Sequence, residues 1–127
     1  MKLLQATLAV LFMVVVFTSA AQAEMSVARA TICTSVAERE PVGAGTSFSD
    51  VERLYFFTEI VDAGENATIQ HVWYYRDEPL LEVDLTVSGP RWRTWSYKNI
   101  GGMKGSWRAE VVNSKGEVLR SVSFTID

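Results

Sequence analysis

The stretch Arg91-Trp92-Arg93-Thr94-Trp95-Ser96-Tyr97-Lys98 combines more aromatic rings and cations than any other window of the chain. Because the side chains of a β-strand point alternately to its two faces, this stretch has two different faces when read as a strand. One face carries Arg91, Arg93, Trp95 and Tyr97, and the other carries Trp92, Thr94, Ser96 and Lys98. Guanidinium groups stack on exposed ring faces, so the first face suits an anionic or sugar-like ligand. An arginine–tryptophan ladder that only stiffens the sheet is the alternative interpretation.

His71 is the only histidine, and any nucleophile–base chemistry in this chain would depend on it. Its nucleophilic partner would be Ser96 or Cys33, and an acid such as Asp84 or Glu59 would orient it. No nucleophile-elbow sequence surrounds Ser96 or Cys33. A single histidine next to a tryptophan is more often a hydrogen-bonded structural residue. We therefore predict that the chain is not an enzyme, and we keep His71 as a secondary candidate for ligand contact.

Metal ligands are scarce in this chain. One histidine, one cysteine and the scattered Met25 and Met103 do not form the cluster that zinc requires. Copper(I) held by His71 and Met103 is a minor alternative. The glycines of Gly43-Ala44-Gly45 are too few for a phosphate loop, and no helical pattern follows them. The sequence therefore predicts no metal, no cofactor and no nucleotide.

The N-terminus has the pattern of a secretory signal peptide. A basic start at Met1-Lys2 precedes an apolar run from Leu8 to Phe17, and Ala21-Gln22-Ala23 fits the small-x-small rule for cleavage. The apolar run is shorter than the roughly 20 residues that span a bilayer. We predict a cleaved signal peptide over residues 1–23 and one domain over residues 24–127, exported to the periplasm or secreted, with no transmembrane helix after cleavage. An uncleaved anchor is the alternative.

Charge is distributed unevenly along the chain. From Glu24 to Asp84, twelve acidic residues outnumber four basic ones. From Leu85 to Ala109 there is no acid, and five bases follow one another: Arg91, Arg93, Lys98, Lys104 and Arg108. This basic block either forms a contact surface or is neutralised by neighbouring acidic strands. Because the chain as a whole carries a net charge of −3, nucleic acid is not an expected partner.

Short segments of alternating polarity indicate seven strands. They cover residues 26–36, 51–62, 68–76, 80–87, 91–98, 105–112 and 118–126. Turns are predicted at Ala63-Gly64-Glu65-Asn66 and at Ser88-Gly89-Pro90, and no helical periodicity is present. This spacing is typical of a seven-stranded antiparallel β-sandwich of immunoglobulin-like size.

Core and surface tryptophans can be assigned from the same pattern. Trp73 and Trp107 are predicted in the core. A regular strand cannot bury both Trp92 and Trp95, so we predict Trp92 inside and Trp95 outside between two arginines. Cys33 lies in an apolar stretch and is predicted to be a buried free thiol.

An ordered set of short motifs resembles a known bacterial family. The set is Arg39-Glu40-Pro41, Phe48, Leu54-Tyr55, His71-Val72-Trp73, Arg91-Trp92-Arg93-Thr94-Trp95-Ser96, Gly105-Ser106-Trp107 and Gly116. It resembles the domain of unknown function 2914 family over residues 27–126. The resemblance implies a small β-rich domain in exported or membrane-associated proteins and brings no catalytic residues.

These observations favour a non-catalytic binding or interaction module of the bacterial cell envelope. The candidate contact residues are Arg91, Arg93, Trp95, Tyr97, Lys98 and His71. The expected partners are an envelope glycan or acidic polymer, or another exported protein that uses the aromatic and arginine side chains. A purely structural or assembly domain with no ligand is the alternative.

Overall fold

The computed structural model describes residues 9–16 and 24–127. Residues 9–16 belong to no strand, and the side chains of Val10 through Val16 are exposed. The predicted cleavage motif Ala21-Gln22-Ala23 lies outside the described residues. No helix in the described ranges is long and apolar enough to cross a membrane.

The described chain is all-β, which confirms the predicted fold class at that level. The strands are β1 (Ser26–Cys33), β2 (Ser35–Ala37), β3 (Glu40–Val42), β4 (Ser47–Phe48), β5 (Arg53–Tyr75), β6 (Glu78–Asn99), β7 (Gly105–Asn113) and β8 (Val118–Ile126). One six-stranded sheet has the order β1-β5-β7-β8-β4, and β6 pairs with β5. All its pairings are antiparallel except that of β4 with β8. Strands β2 and β3 form a separate hairpin.

Two long strands replace four of the predicted short ones. Ala63-Gly64-Glu65-Asn66 and Ser88-Gly89-Pro90 lie inside β5 and β6, so the two predicted turns are wrong. Gly64 (φ 74°) pairs with Gly89 (φ 78°) across the ladder, and register shifts lie on both sides of Gly64. Positive φ at facing glycines lets both strands bend at the same point without separating. The glycines therefore bend a continuous hairpin and do not end its strands.

This bend divides the sheet into two lobes that fold over a common core. The first lobe contains β1 with residues 53–61 of β5 and 91–99 of β6; the second contains residues 67–75 of β5, 78–87 of β6, and β7, β8 and β4. The Phe56 ring of the first lobe contacts the Trp73 ring of the second, with centroids 6.2 Å apart. Arg120 of β8 donates to the carbonyl oxygen of Val27 in β1 at 2.7 Å. The result is a curled half-barrel.

The core is apolar and rich in rings, as predicted for Trp73 and Trp107, which are both buried. The ring of Trp107 stacks on Phe124, and Trp73 meets Phe124 edge-on. Cys33 is a buried free cysteine, and burial raises the pKa of its thiol. Each large buried side chain contributes roughly 1.5–3 kcal/mol, so the domain is stabilised without a disulfide bond.

Candidate functional site

The arginine- and aromatic-rich stretch forms the second half of β6, at an edge of the sheet. Its register against β5 sets Arg93 opposite Glu59, Trp95 opposite Phe57 and Tyr97 opposite Tyr55. The alternation predicted for this stretch is confirmed: Ser96 is buried on the inner face, whereas Trp95 and Tyr97 are 36% and 50% exposed on the outer face.

Trp92 does not enter the core. It is 37% exposed, about as much as Trp95, so its predicted burial is wrong. Trp92 points to the inner face, but β6 is an edge strand and has a neighbour on one side only. Side chains of an edge strand are covered from one side, which leaves part of the Trp92 ring open to water. Trp95 lies outside as predicted, with its ring stacked on Phe57 at 6.3 Å.

Glu59 organises the arginines of the outer face. Its carboxylate is 4% exposed and contacts Arg29 Nε at 2.8 Å, Arg91 Nη1 at 3.1 Å and Arg93 Nε at 3.4 Å. The hydrogen bond from Arg29 is the main reason that the pKa of Glu59 falls to about 2, against the opposing effect of burial. Glu40 contacts Arg29 and Arg93 from the solvent side. The arginines are thus held in place by acids from β5 and β3.

Arg39 adds a fourth guanidinium-bearing side chain to this face. Glu38 and Arg39 form the turn between β2 and β3, with φ values of 51° and 61°. The carbonyl oxygen of Arg39 accepts from Arg93 Nη1 at 3.4 Å. The side chains of Arg39, Arg91 and Arg93 line a shallow pocket of about 290 Å³. We call Arg39, Arg91, Arg93, Trp95 and Tyr97 the outer patch.

Four arginines and two glutamates meet here, which leaves two excess positive charges. Arg29, Arg91 and Arg93 all contact Glu59, while the described residues offer Arg39 no ion pair within 4.0 Å. The side chain of Arg91 is 58% exposed although it contacts Glu59. Sequence reasoning missed Arg29, Arg39 and the role of Glu59. An acid in the middle of the apolar run of β5 was the signal that could have revealed the cluster.

The basic block is partly neutralised by acids, as one of the two interpretations anticipated. Arg91 and Arg93 pair with Glu59, and Arg108 contacts Asp77 at 2.8 Å and Glu110 at 3.3 Å. Lys98 Nζ donates to the neighbouring carbonyl oxygen of Asn99 at 2.8 Å, at the end of β6. Lys98 lies on the inner side of the strand and is separate from the outer patch.

His71 lies in the core, away from the outer patch. It is fully buried, with Nδ1 2.8 Å from Ser96 Oγ and Nε2 3.0 Å from Thr58 Oγ1. Trp73 Nε1 donates to Ser96 Oγ at 3.0 Å, and Thr58 Oγ1 donates to the carbonyl oxygen of Thr94 at 3.2 Å. His71 therefore cannot touch a ligand on the surface.

These contacts form one directional chain of hydrogen bonds. Ser96 accepts from Trp73, so its own proton is free to go to His71 Nδ1. Thr58 uses its proton on a carbonyl oxygen, so its lone pairs accept from His71 Nε2. The chain is complete with a neutral His71 protonated at Nε2, and burial lowers the pKa of His71 to about 3. It joins β5 in the second lobe to β5 and β6 in the first.

Ser96 and His71 are not accessible to a substrate or to a metal ion. Ser96 is 5% exposed and its hydroxyl already has two partners, so the Ser96–His71 pair presents no accessible nucleophile. Both ring nitrogens of His71 are occupied, which leaves none for copper(I) with Met103. In the part of the chain that the structure describes, no three His, Cys, Asp or Glu side chains cluster as metal ligands. The absence of a cofactor stays a prediction.

A groove runs beside the free edge of β6. It has a volume of about 560 Å³ and lies between the two halves of the strand. Leu80, Leu81 and Val83 line one wall, and residues 95–99 line the other. Leu80 is 43% exposed. Aromatic rings, apolar side chains and an open strand edge therefore lie next to one another.

The fold and the outer patch describe a small all-β domain with an arginine- and aromatic-rich edge strand. The family described as "Protein of unknown function (DUF2914)" matches residues 66–126, from the second half of β5 to the end of β8. This match over residues 66–126 confirms the resemblance drawn from the motifs of the chain. The match includes the His71, Arg91–Ser96 and Trp107 motifs; the motifs before residue 66 lie outside it.

Two solved structures that the chain is similar to are much larger proteins. The chain is similar to a mutant β-glucosidase from Listeria innocua in complex with laminaribiose, at 10% identity and a TM-score of 0.49. It is also similar to a β-glucosidase from Kluyveromyces marxianus, at 9% identity and a TM-score of 0.47. Each comparison covers 82% of this chain, but only 16% and 14% of the respective enzymes. No curated protein matches the chain.

Proposed function

We propose that this chain is a non-catalytic binding module of the bacterial cell envelope, and that the outer patch holds an acidic glycan or a similar acidic polymer. The observation that carries the proposal is the Glu59 cluster, in which a buried carboxylate fixes Arg91 and Arg93 beside the exposed rings of Trp95 and Tyr97. No nucleotide or nucleic acid is an expected partner.

The arrangement suits an extended ligand with acidic groups. A guanidinium presents a planar set of donors that matches a carboxylate or phosphate. Arg91 contacts Glu59 through Nη1 but its side chain is 58% exposed, so it presents donors to a ligand. Since Glu59 already orders these side chains, binding costs less conformational entropy than it would with free arginines. Trp95 and Tyr97 lie farther along the same strand face and offer ring surface to the uncharged part of the ligand.

Removing two exposed cations is expected to weaken binding while the fold is preserved. The double variant Arg39→Gln, Arg91→Gln should bind polygalacturonate, a soluble acidic polysaccharide, about tenfold or more weakly, because each charged hydrogen bond contributes about 1.5–3 kcal/mol. Binding by the unaltered domain should weaken as salt is added. Isothermal titration calorimetry measures both effects.

The matched control removes two cations elsewhere. Lys104→Gln with Lys115→Gln changes the net charge equally but leaves the outer patch intact, so it should keep the affinity. Equal weakening by both double variants would show that only net charge matters and would overturn the proposed site. Arg93 is left unchanged because it also contacts Glu40 and Glu59.

A purely structural domain is the second candidate, and the Glu59 cluster also supports it. Arg29, Arg93 and Glu40 join β1, β6 and β3, so the cluster fastens the β2–β3 hairpin to the sheet. If this is its whole role, no acidic or neutral polymer binds, and the outer-patch variants differ from the parent in stability only.

Export is part of the proposal and rests on the N-terminal pattern. The full-length chain produced in a bacterium should be recovered from the periplasm or medium with Glu24 as its first residue, because cleavage follows Ala23. Peptide mass spectrometry of the mature N-terminus checks this. Recovery of a membrane-bound chain that retains Leu8 to Phe17 would favour the uncleaved anchor.

An immunoglobulin-like sandwich is the finer architecture that we propose. Each predicted segment overlaps a strand, although two long strands span four of the segments, and the two lobes face each other across one core. The bends at Gly64 and Gly89 then serve as corners at which the strands pass from one layer to the other. An experimental structure with a flat, unlayered sheet would rule this out.

A further inference from the structure

The free edge of β6 is an unusual place for so many rings. Within the described residues, β6 pairs only with β5, so residues 91–99 have no backbone partner on their other side. Trp92, Trp95 and Tyr97 are at least one-third exposed along this edge, on both faces of the strand. An edge of this length with exposed rings is a ready template for another strand.

The sequence of this edge is complementary to itself. When two copies pair antiparallel with Trp95 opposite Trp95, the register sets Arg93 against Tyr97 and Trp92 against Lys98. The same register sets Thr94 against Ser96 and Arg91 against Asn99. Each cation then meets a ring or an amide, which are favourable cross-strand neighbours. A register centred on Arg93 would instead place that arginine against itself.

We propose that a second copy of this chain pairs with residues 91–99, so that the two sheets join into one continuous sheet about a twofold axis at Trp95. The groove lies along residues 95–99 of this edge, with Leu80, Leu81 and Val83 on its other side, so it gives the incoming strand room beside the second half of the paired segment. This proposal and the proposed function share the same strand and nothing else. Dimerisation uses the backbone edge of residues 91–99, whereas ligand binding uses the side chains on their outer face. Two outer patches side by side form a longer surface for a polymer.

Added salt is expected to affect polymer binding and dimerisation differently. Binding of an acidic polymer is weakened by salt because opposite charges attract. Dimerisation brings together two basic edges through ring and backbone contacts, so added salt leaves it unchanged or strengthens it. A domain that binds polygalacturonate but stays monomeric would overturn the dimer and leave the proposed function standing.

Sedimentation equilibrium of residues 24–127 provides the test. This segment contains every strand and all the core residues that the structure describes, whereas residues 10–16 are exposed and lie outside the core. The parent domain should dimerise with rising concentration. Trp95→Lys and Trp95→Glu should each be monomeric, because each sets a charge against its own copy, and an equal mixture of the two should form a heterodimer. The control Val118→Lys, on the distant β8, should remain dimeric.

A cysteine experiment keeps Trp95 in place, in case its replacement disturbs packing on Phe57. Arg93→Cys and Tyr97→Cys chains should cross-link to each other on oxidation, because the register sets positions 93 and 97 directly opposite. Neither should cross-link to itself. The only native cysteine, Cys33, is buried. A monomeric parent domain, a charge-swapped mixture that stays monomeric, or self-linked Tyr97→Cys chains that match the mixed pair would each overturn the proposal.

Discussion

Between pH 6.5 and pH 4.5 the free energy of unfolding is expected to fall by about 2 kcal/mol, because His71 is held neutral in the core. Burial lowers the pKa of His71 to about 3 in the folded chain, from an ordinary value of 6.5. The unfolded chain therefore takes up a proton first as the pH falls. The free energy of unfolding is therefore highest above pH 6.5. It falls as the pH drops below 6.5 and levels off only near pH 3, where the folded chain also takes up the proton. Urea unfolding at a series of pH values measures this decline.

The decline between pH 6.5 and pH 4.5 reports on His71 because it is the only histidine, and the ordinary pKa values of aspartate and glutamate, about 3.9 and 4.3, lie below this range. His71→Gln is the matched variant, since an amide can both donate and accept in the same chain of hydrogen bonds. It should be less stable than the parent at pH 7 and nearly independent of pH over this range. A parent domain with flat stability from pH 6.5 to 4.5 would contradict a neutral, buried His71.

Replacing Glu59 by glutamine is expected to cost about 2 kcal/mol of stability at pH 7. The change removes the buried charge that Arg29, Arg91 and Arg93 share. The loss is smaller than for a fully buried ion pair, since these arginines are partly exposed and water can solvate them. Because the pKa of Glu59 is lowered to about 2, its contribution is complete above pH 4.5 and disappears as the pH falls toward 2. Thermal unfolding of the parent and of Glu59→Gln, at pH 7 and near pH 2, measures this contribution.

Glu40→Gln is the control for this prediction. Glu40 contacts Arg29 and Arg93, as Glu59 does, but its side chain is 46% exposed. Exposed ion pairs contribute little because water and salt screen them, so this variant should lose much less stability than Glu59→Gln. Equal losses would mean that burial of Glu59 does not set the strength of the cluster.

Local patterns predicted the strand segments well. The alternation of Arg91, Arg93, Trp95 and Tyr97 against Ser96 follows from the twofold period of a strand, and the structure has it. The bend was not predictable in the same way. Gly64 and Gly89 favour a turn when each is read alone, and only their pairing across β5 and β6 shows that both strands continue. That pairing joins residues far apart in sequence.

The outer patch was predicted only in part. Its strand was recognisable from composition, but Arg39 comes from a hairpin that packs against β6 through tertiary contacts. Glu59 was considered only as an acid for His71, yet the two residues lie on opposite faces of the sheet. The register shifts around Gly64, which the sequence does not show, change which alternate side chains of β5 face the core. Trp92 was misplaced because the sequence does not show which strand lies at a sheet edge.

The hairpin of β5 and β6 has a consequence for how the chain reaches its native state. Its ladder starts at the tight turn of Arg76 and Asp77, where φ is 48° and 65°, and extends pair by pair to Arg53 and Asn99. Each new pair of residues forms next to a pair that is already closed, so it costs little loop-closure entropy. We therefore expect the folding nucleus at the Arg76–Asp77 end of this hairpin, with β1 joining late. Kinetic φ-values near 1 at Tyr75 and near 0 at Ile32 would reveal that order.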